Sequence, residues 1–129
     1  MSGGHRPFEV AARLRGFRFA FRGLALVVRS QHNAWIHAAA TLLVCLLGWA
    51  LGVGRVEWAV LVLAIASVWG AEAMNTAFEH LCDAASPDPD PRVEKAKDVA
   101  AGAVLATALG AAVVALLIFL PRILSWLNS

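Results

Sequence analysis

The sequence predicts an all-α membrane protein: an N-terminal amphipathic helix lying on the bilayer surface, followed by three transmembrane helices. Composition is the first reason, since 60% of the 129 residues are hydrophobic and Tyr is absent. The second is two uncharged stretches, residues 34–54 and 99–121, of 21 and 23 residues. Each is long enough to cross about 30 Å of hydrocarbon at about 1.5 Å per residue. The third is a shorter uncharged run, residues 58–71, which reaches spanning length only if its helix continues through Glu72 toward Glu79. These stretches leave room for one domain, residues 1–129, and for no separate soluble one.

The amphipathic helix is expected over residues 8–30. Arg15, Arg18, Arg22 and Arg29 fall within roughly 60° of one another at helical spacing, and Phe17, Phe21, Leu24 and Val28 cluster opposite. Arginines would then face headgroups or nucleotide phosphates while the rings enter the acyl region, anchoring to anionic lipid being the plainer of the two roles. Arg6 and Arg13 fall near the apolar side, where their stems can snorkel. The first strongly apolar run lies far from Met1, which argues against a cleaved secretory signal.

Polar residues from Ser30 to Asn33 interrupt the pattern, and the first span is expected over residues 34–54 with His37 one turn inside. Gly52, Gly54 and Arg55 mark a tight outer turn, with Trp49 and Trp58 as interfacial anchors. The second span is expected over residues 57–82 and a cytoplasmic loop over 84–93, where Pro87, Pro89 and Pro91 forbid a continuous helix. The third span is expected over residues 96–120, opening on the small residues Ala100, Ala101, Gly102 and Ala103, which permit close helix approach. Nine of the eleven Lys and Arg residues precede the first span or lie between the second and third. The positive-inside rule therefore puts the N-terminus and the proline loop in the cytoplasm and the C-terminus outside. Cys45 and Cys82 read as small apolar fillers, and His32, His37 and His80 show no metal-ligand spacing.

The chemistry sits where the second span ends. Glu72, Asn75, Glu79 and Asp83, spaced three, four and four, form one stripe within roughly 80°. A carboxylate at membrane depth costs several kcal/mol unless it faces a protein interior, a cation or water. Hard oxygens of this kind suit magnesium bound through one or two carboxylates plus substrate phosphates. Lys97 and Asp98 open the next helix just past the loop and can fold back onto the same end. Cation, phosphates and a carboxylate base are the parts phosphoryl transfer needs. The same residues also fit a structural ion-pair cluster with Lys97 or a cation pathway. The sequence contains no Walker phosphate loop and no kinase-type glycine loop, so a nucleotide site here is of another kind.

Those residues resemble a known family. Glu72-Ala-Met-Asn75-Thr-Ala-Phe-Glu79-His-Leu-Cys-Asp83 is similar to the Glu-x-x-Asn-Ser/Thr-Ala-x-Glu-x-x-x-Asp signature of the small bacterial integral-membrane diacylglycerol and undecaprenol kinases. Lys97-Asp98-Val-Ala-Ala-Gly-Ala-Val104 resembles their second signature, and Phe19-Ala-Phe-Arg22-Gly-Leu24 their N-terminal helix. The resemblance implies an ATP- and magnesium-dependent lipid kinase of the bacterial inner membrane, a homotrimer with sites between subunits and no nucleic-acid partner. It makes Glu72 the base that accepts the lipid hydroxyl proton and Glu79 a magnesium ligand. Asn75, Asp83, Lys97 and Asp98 complete the site, and the arginine face of the surface helix offers Arg18 and Arg22 as candidate nucleotide contacts. Where the family carries a second metal-binding glutamate, in a pattern like Glu-x-Asn-x-x-Ile-His, this chain has Gln31 ahead of Asn33, Ile36 and His37. An amide oxygen there coordinates without adding charge and weakens metal binding. The Asn33, Ile36 and His37 pattern looks more like the undecaprenol kinases, with diacylglycerol kinase as the alternative. A non-enzymatic cation- or lipid-binding membrane protein is the alternative of another class.

Overall fold

The computed structural model describes residues 10–129, which form four helices: α1 (Val10–Ser30), α2 (His32–Ala50), α3 (Arg55–Ala85) and α4 (Pro91–Leu127). Arg6 and the first two residues expected in the amphipathic helix lie outside the described residues. Helices α2, α3 and α4 are each long and apolar enough to cross a membrane, and the chain is an all-helical membrane protein. Leu42, Leu46, Leu109 and Leu116 stay more than half exposed on those helices. That exposure suits a chain whose surroundings are lipid and other apolar surfaces rather than water.

One residue separates α1 from α2. Gln31 takes an extended conformation (φ −107°, ψ 123°), its amide donating to the Val27 carbonyl at 3.2 Å and its own carbonyl receiving Ala34 N–H at 3.2 Å. The break redirects the chain without orphaning its amide, and it aims the Gln31 side chain at α3.

At the other end, α2 closes with paired backbone bonds. Val53 N–H returns to the Gly48 carbonyl at 3.1 Å and Gly52 N–H to that of Trp49 at 3.3 Å, around Gly52 at φ +61°. This Schellman arrangement needs a left-handed residue, which glycine supplies without a Cβ clash. Gly48 is required for a different reason, since a Cβ there would meet the Trp58 ring at 2.6 Å. The core lies at this end, where Val53, Leu61 and Phe119 are buried against α2, α3 and α4.

Loop 86–90 is shorter than expected, because Pro91 begins α4 instead of preceding it. Proline suits the first helical position, and Asp90 caps it by accepting Arg92 N–H at 2.8 Å. The Arg92 guanidinium closes on the same carboxylate and holds the Asp90 carboxyl below the usual range. Helix α4 also runs on through Pro121 to Leu127. Beyond the proline, Ile123 packs on the core and Arg122 pairs with Glu57 of α3, so tertiary contacts carry the helix past a local breaker.

Candidate active site at one end of the bundle

Burial falls along the carboxylate stripe of α3. Glu72 is 1% exposed and Asn75 7%, whereas Glu79 is half-buried and Asp83 exposed. The helical rise places Glu72 roughly 25 Å along α3 from Arg55 and Glu79 roughly 36 Å. A hydrocarbon layer about 30 Å thick measured from Arg55 would end between the two.

A cleft of about 230 Å³ opens in front of Glu72, with walls including Asn33, Ile36 and His37 of α2 and Ala101 and Val104 of α4. The small residues at the start of α4 leave this space, so Ala101 serves the cleft as well as packing. Among the described residues, both Glu72 carboxylate oxygens and Asn75 Oδ1 are buried without a hydrogen-bond partner. Thr76, also buried, is satisfied locally, its hydroxyl donating to the Glu72 carbonyl at 2.9 Å.

Two residues separated by most of two helices meet at Glu79. Gln31 Nε2 donates to one carboxylate oxygen at 3.2 Å, and Asn75 Nδ2 donates to the other at 2.9 Å. Lys97 reaches across the loop and pairs with Asp83, closing α4 onto α3 at this end. Asp98 is exposed beside that pair. The structure thus gathers Gln31, Glu72, Asn75 and Glu79 into one cluster and sets Asp83 with Lys97 at its rim. Among the described residues, no three His, Cys, Asp or Glu side chains come together as a metal-holding group.

Arg18 and Arg22 lie elsewhere. Ala20, Gly23 and Val27 of α1 face Ala73 and Thr76 of α3 across a cleft, and at helical spacing the arginines occupy roughly the opposite side of α1. Both are exposed, and Arg22 lies over the Phe19 ring at 5.9 Å.

His37 is the residue that spacing along the chain did not single out for the site. Its Nε2 lies 3.3 Å from Glu72 Oε2, a contact across 35 positions of sequence. The available sequence signal was a lone imidazole one turn inside an uncharged span. A polar ring at that depth needs a partner.

A model of the prokaryotic diacylglycerol kinase family matches residues 18–119. The chain is 36% identical over 109 residues to an undecaprenol kinase of Bacillus subtilis, covering 84% of this chain and 89% of that protein. It is 34% identical over 113 residues to a diacylglycerol kinase of Synechocystis, covering 87% of this chain and 65% of that protein. No solved structure matches significantly.

Proposed function

The chain belongs to the prokaryotic diacylglycerol kinase family of membrane lipid kinases, and from that premise we propose that it phosphorylates undecaprenol with ATP, using Glu72 as the base. One observation carries this reading: a carboxylate 1% exposed, both oxygens without a hydrogen-bond partner among the described residues, fronting a cleft between α2, α3 and α4. A lipid alcohol lying in the bilayer presents its hydroxyl to that cleft. Glu72 accepts the hydroxyl proton, the freed oxygen bonds to the γ-phosphorus, and the bond to the β-phosphate oxygen breaks as ADP leaves. Asn75 helps hold the base from the next turn of α3. Lys97, with Asp83 and Asp98, places a cation near the nucleotide phosphates at the rim.

Glu79 and Gln31 would hold magnesium. The fit rests on donor chemistry, since a carboxylate and an amide oxygen are hard ligands of the kind magnesium takes. The Gln31–Glu79 contact brings the two side chains together, but through Gln31 Nε2, which donates to Glu79, so the amide must turn over to offer its oxygen. Bound there, magnesium would neutralise negative charge on the phosphates.

Undecaprenol is preferred over diacylglycerol because the undecaprenol kinase relative aligns over nearly its full length. The Arg15, Arg18, Arg22 and Arg29 face of α1 lies on the anionic headgroups of the inner membrane's cytoplasmic leaflet, with the N-terminus and the site on that side. Three chains assemble with sites between subunits, which covers the exposed leucines and closes the cleft in front of Glu72. Purified protein in bilayers, supplied with ATP and magnesium, should phosphorylate undecaprenol faster than diacylglycerol. A faster rate with diacylglycerol would reverse the substrate assignment, and no lipid-dependent ATP consumption with either would overturn the proposal.

A further inference from the structure

Resting on Glu72 as the base, we propose that His37 is a positioning residue, holding the Glu72 carboxylate aimed into the cleft through its Nε2–H. The imidazole lies 3.3 Å from Glu72 Oε2, at ion-pair distance but short of hydrogen-bond alignment. Contacts of this kind are commonly loose in a free enzyme and tighten when substrate arrives.

The ring is fixed from behind. Trp69 meets it edge-on at 6.2 Å between centroids and 67° between planes. Thr41 ties α2 to α3 beside the ring, its hydroxyl donating to the His37 backbone carbonyl at 2.7 Å and accepting Trp69 Nε1–H at 3.0 Å. Two helices therefore clamp an imidazole whose polar edge is turned toward a buried carboxylate. Structural packing alone does not call for a polar atom there, since leucine or phenylalanine would fill the volume.

Among the described residues facing His37 across the cleft, Glu72 is the charged one. Helix α4 presents alanine, valine and leucine, α2 adds Asn33 and Ile36, and α3 adds Asn75. An Nε2–H donor on one carboxylate oxygen fixes the rotation of the carboxylate and leaves its other oxygen turned toward the cleft.

The test uses the full chain in bilayers, with kcat and both KM values measured for wild type, His37→Leu, His37→Gln and Glu72→Gln. Removing the donor should lower kcat by roughly 10- to 100-fold, the scale of a hydrogen bond to a charged group, while both KM values hold. His37→Gln carries an N–H donor at the reach of Nε2 and should restore most of the rate. A wild-type kcat in His37→Leu, a loss carried by KM instead of kcat, or a His37→Gln no better than His37→Leu overturns the proposal. If His37→Leu does not fold, His37→Gln and His37→Asn decide, because the shorter amide falls short of Glu72 and the two should differ. Activity surviving in Glu72→Gln would instead sink the assignment of the base itself.

Discussion

The two ends of the bundle use similar residues in opposite ways. At the turn end, Glu57 of α3 accepts Gly54 N–H at 2.7 Å and pairs with Arg122, which also donates to the Leu51 carbonyl at 3.4 Å. The backbone beside it closes on itself at Gly52 and Val53. At the other end, among the described residues, neither Glu72 oxygen on the same helix has a hydrogen-bond partner, and neither does Asn75 Oδ1 beside it. A structural carboxylate near a membrane boundary is expected to arrive satisfied, since leaving a buried polar group open costs about 1–3 kcal/mol or more. Openness retained at one end and closed at the other marks where a ligand belongs.

The comparison breaks most directly at Glu72. Glu72→Gln keeps the side chain's shape and removes the base, so lipid phosphorylation should fall by about 10²–10⁴-fold with unchanged thermal stability. A rate assay beside a melting curve checks both halves, and near-normal turnover would mean that the open carboxylate is not the base. Glu79→Gln comes next. It should raise the magnesium requirement by roughly 10-fold or more, with excess magnesium recovering part of the rate, because a lost ligand weakens binding before it removes chemistry. An unmoved magnesium titration would make Glu79 a structural residue held by Gln31 and Asn75.

Gly48→Ala should have the reverse signature. Its Cβ would meet Trp58 at 2.6 Å, and overpacking of this kind costs about 1–3 kcal/mol. A lower Tm with an unaltered magnesium titration would separate the turn end from the site. A changed metal dependence would join them. The smallest effect is expected from Gln31→Glu, which adds an anionic oxygen beside Glu79. Apparent magnesium affinity should shift by a few-fold, roughly the worth of a partly solvated charge, in a direction set by attraction to the cation against repulsion from Glu79. No shift at all would mean that residue 31 does not reach the metal.

Sequence alone determined what depends on local periodicity. Uncharged length marked two long apolar helices, a third followed from continuing residues 58–71 through Glu72, the 3.6-residue repeat put Glu72, Asn75, Glu79 and Asp83 on one side of a helix, and prolines ended α3. All of these follow from spacing along one chain segment. Helix ends were less legible: Pro91 begins α4 and Pro121 fails to stop it, because Asp90 and the Arg122–Glu57 pair decide what proline does there. Only the tertiary structure set Gln31 on Glu79, 48 positions away, and His37 on Glu72. The reason is geometric. A one-residue break at Gln31 and a glycine contact at Gly48 fix how α2 lies against α3, and that packing selects which of several polar side chains, each plausible alone, meets the buried carboxylate.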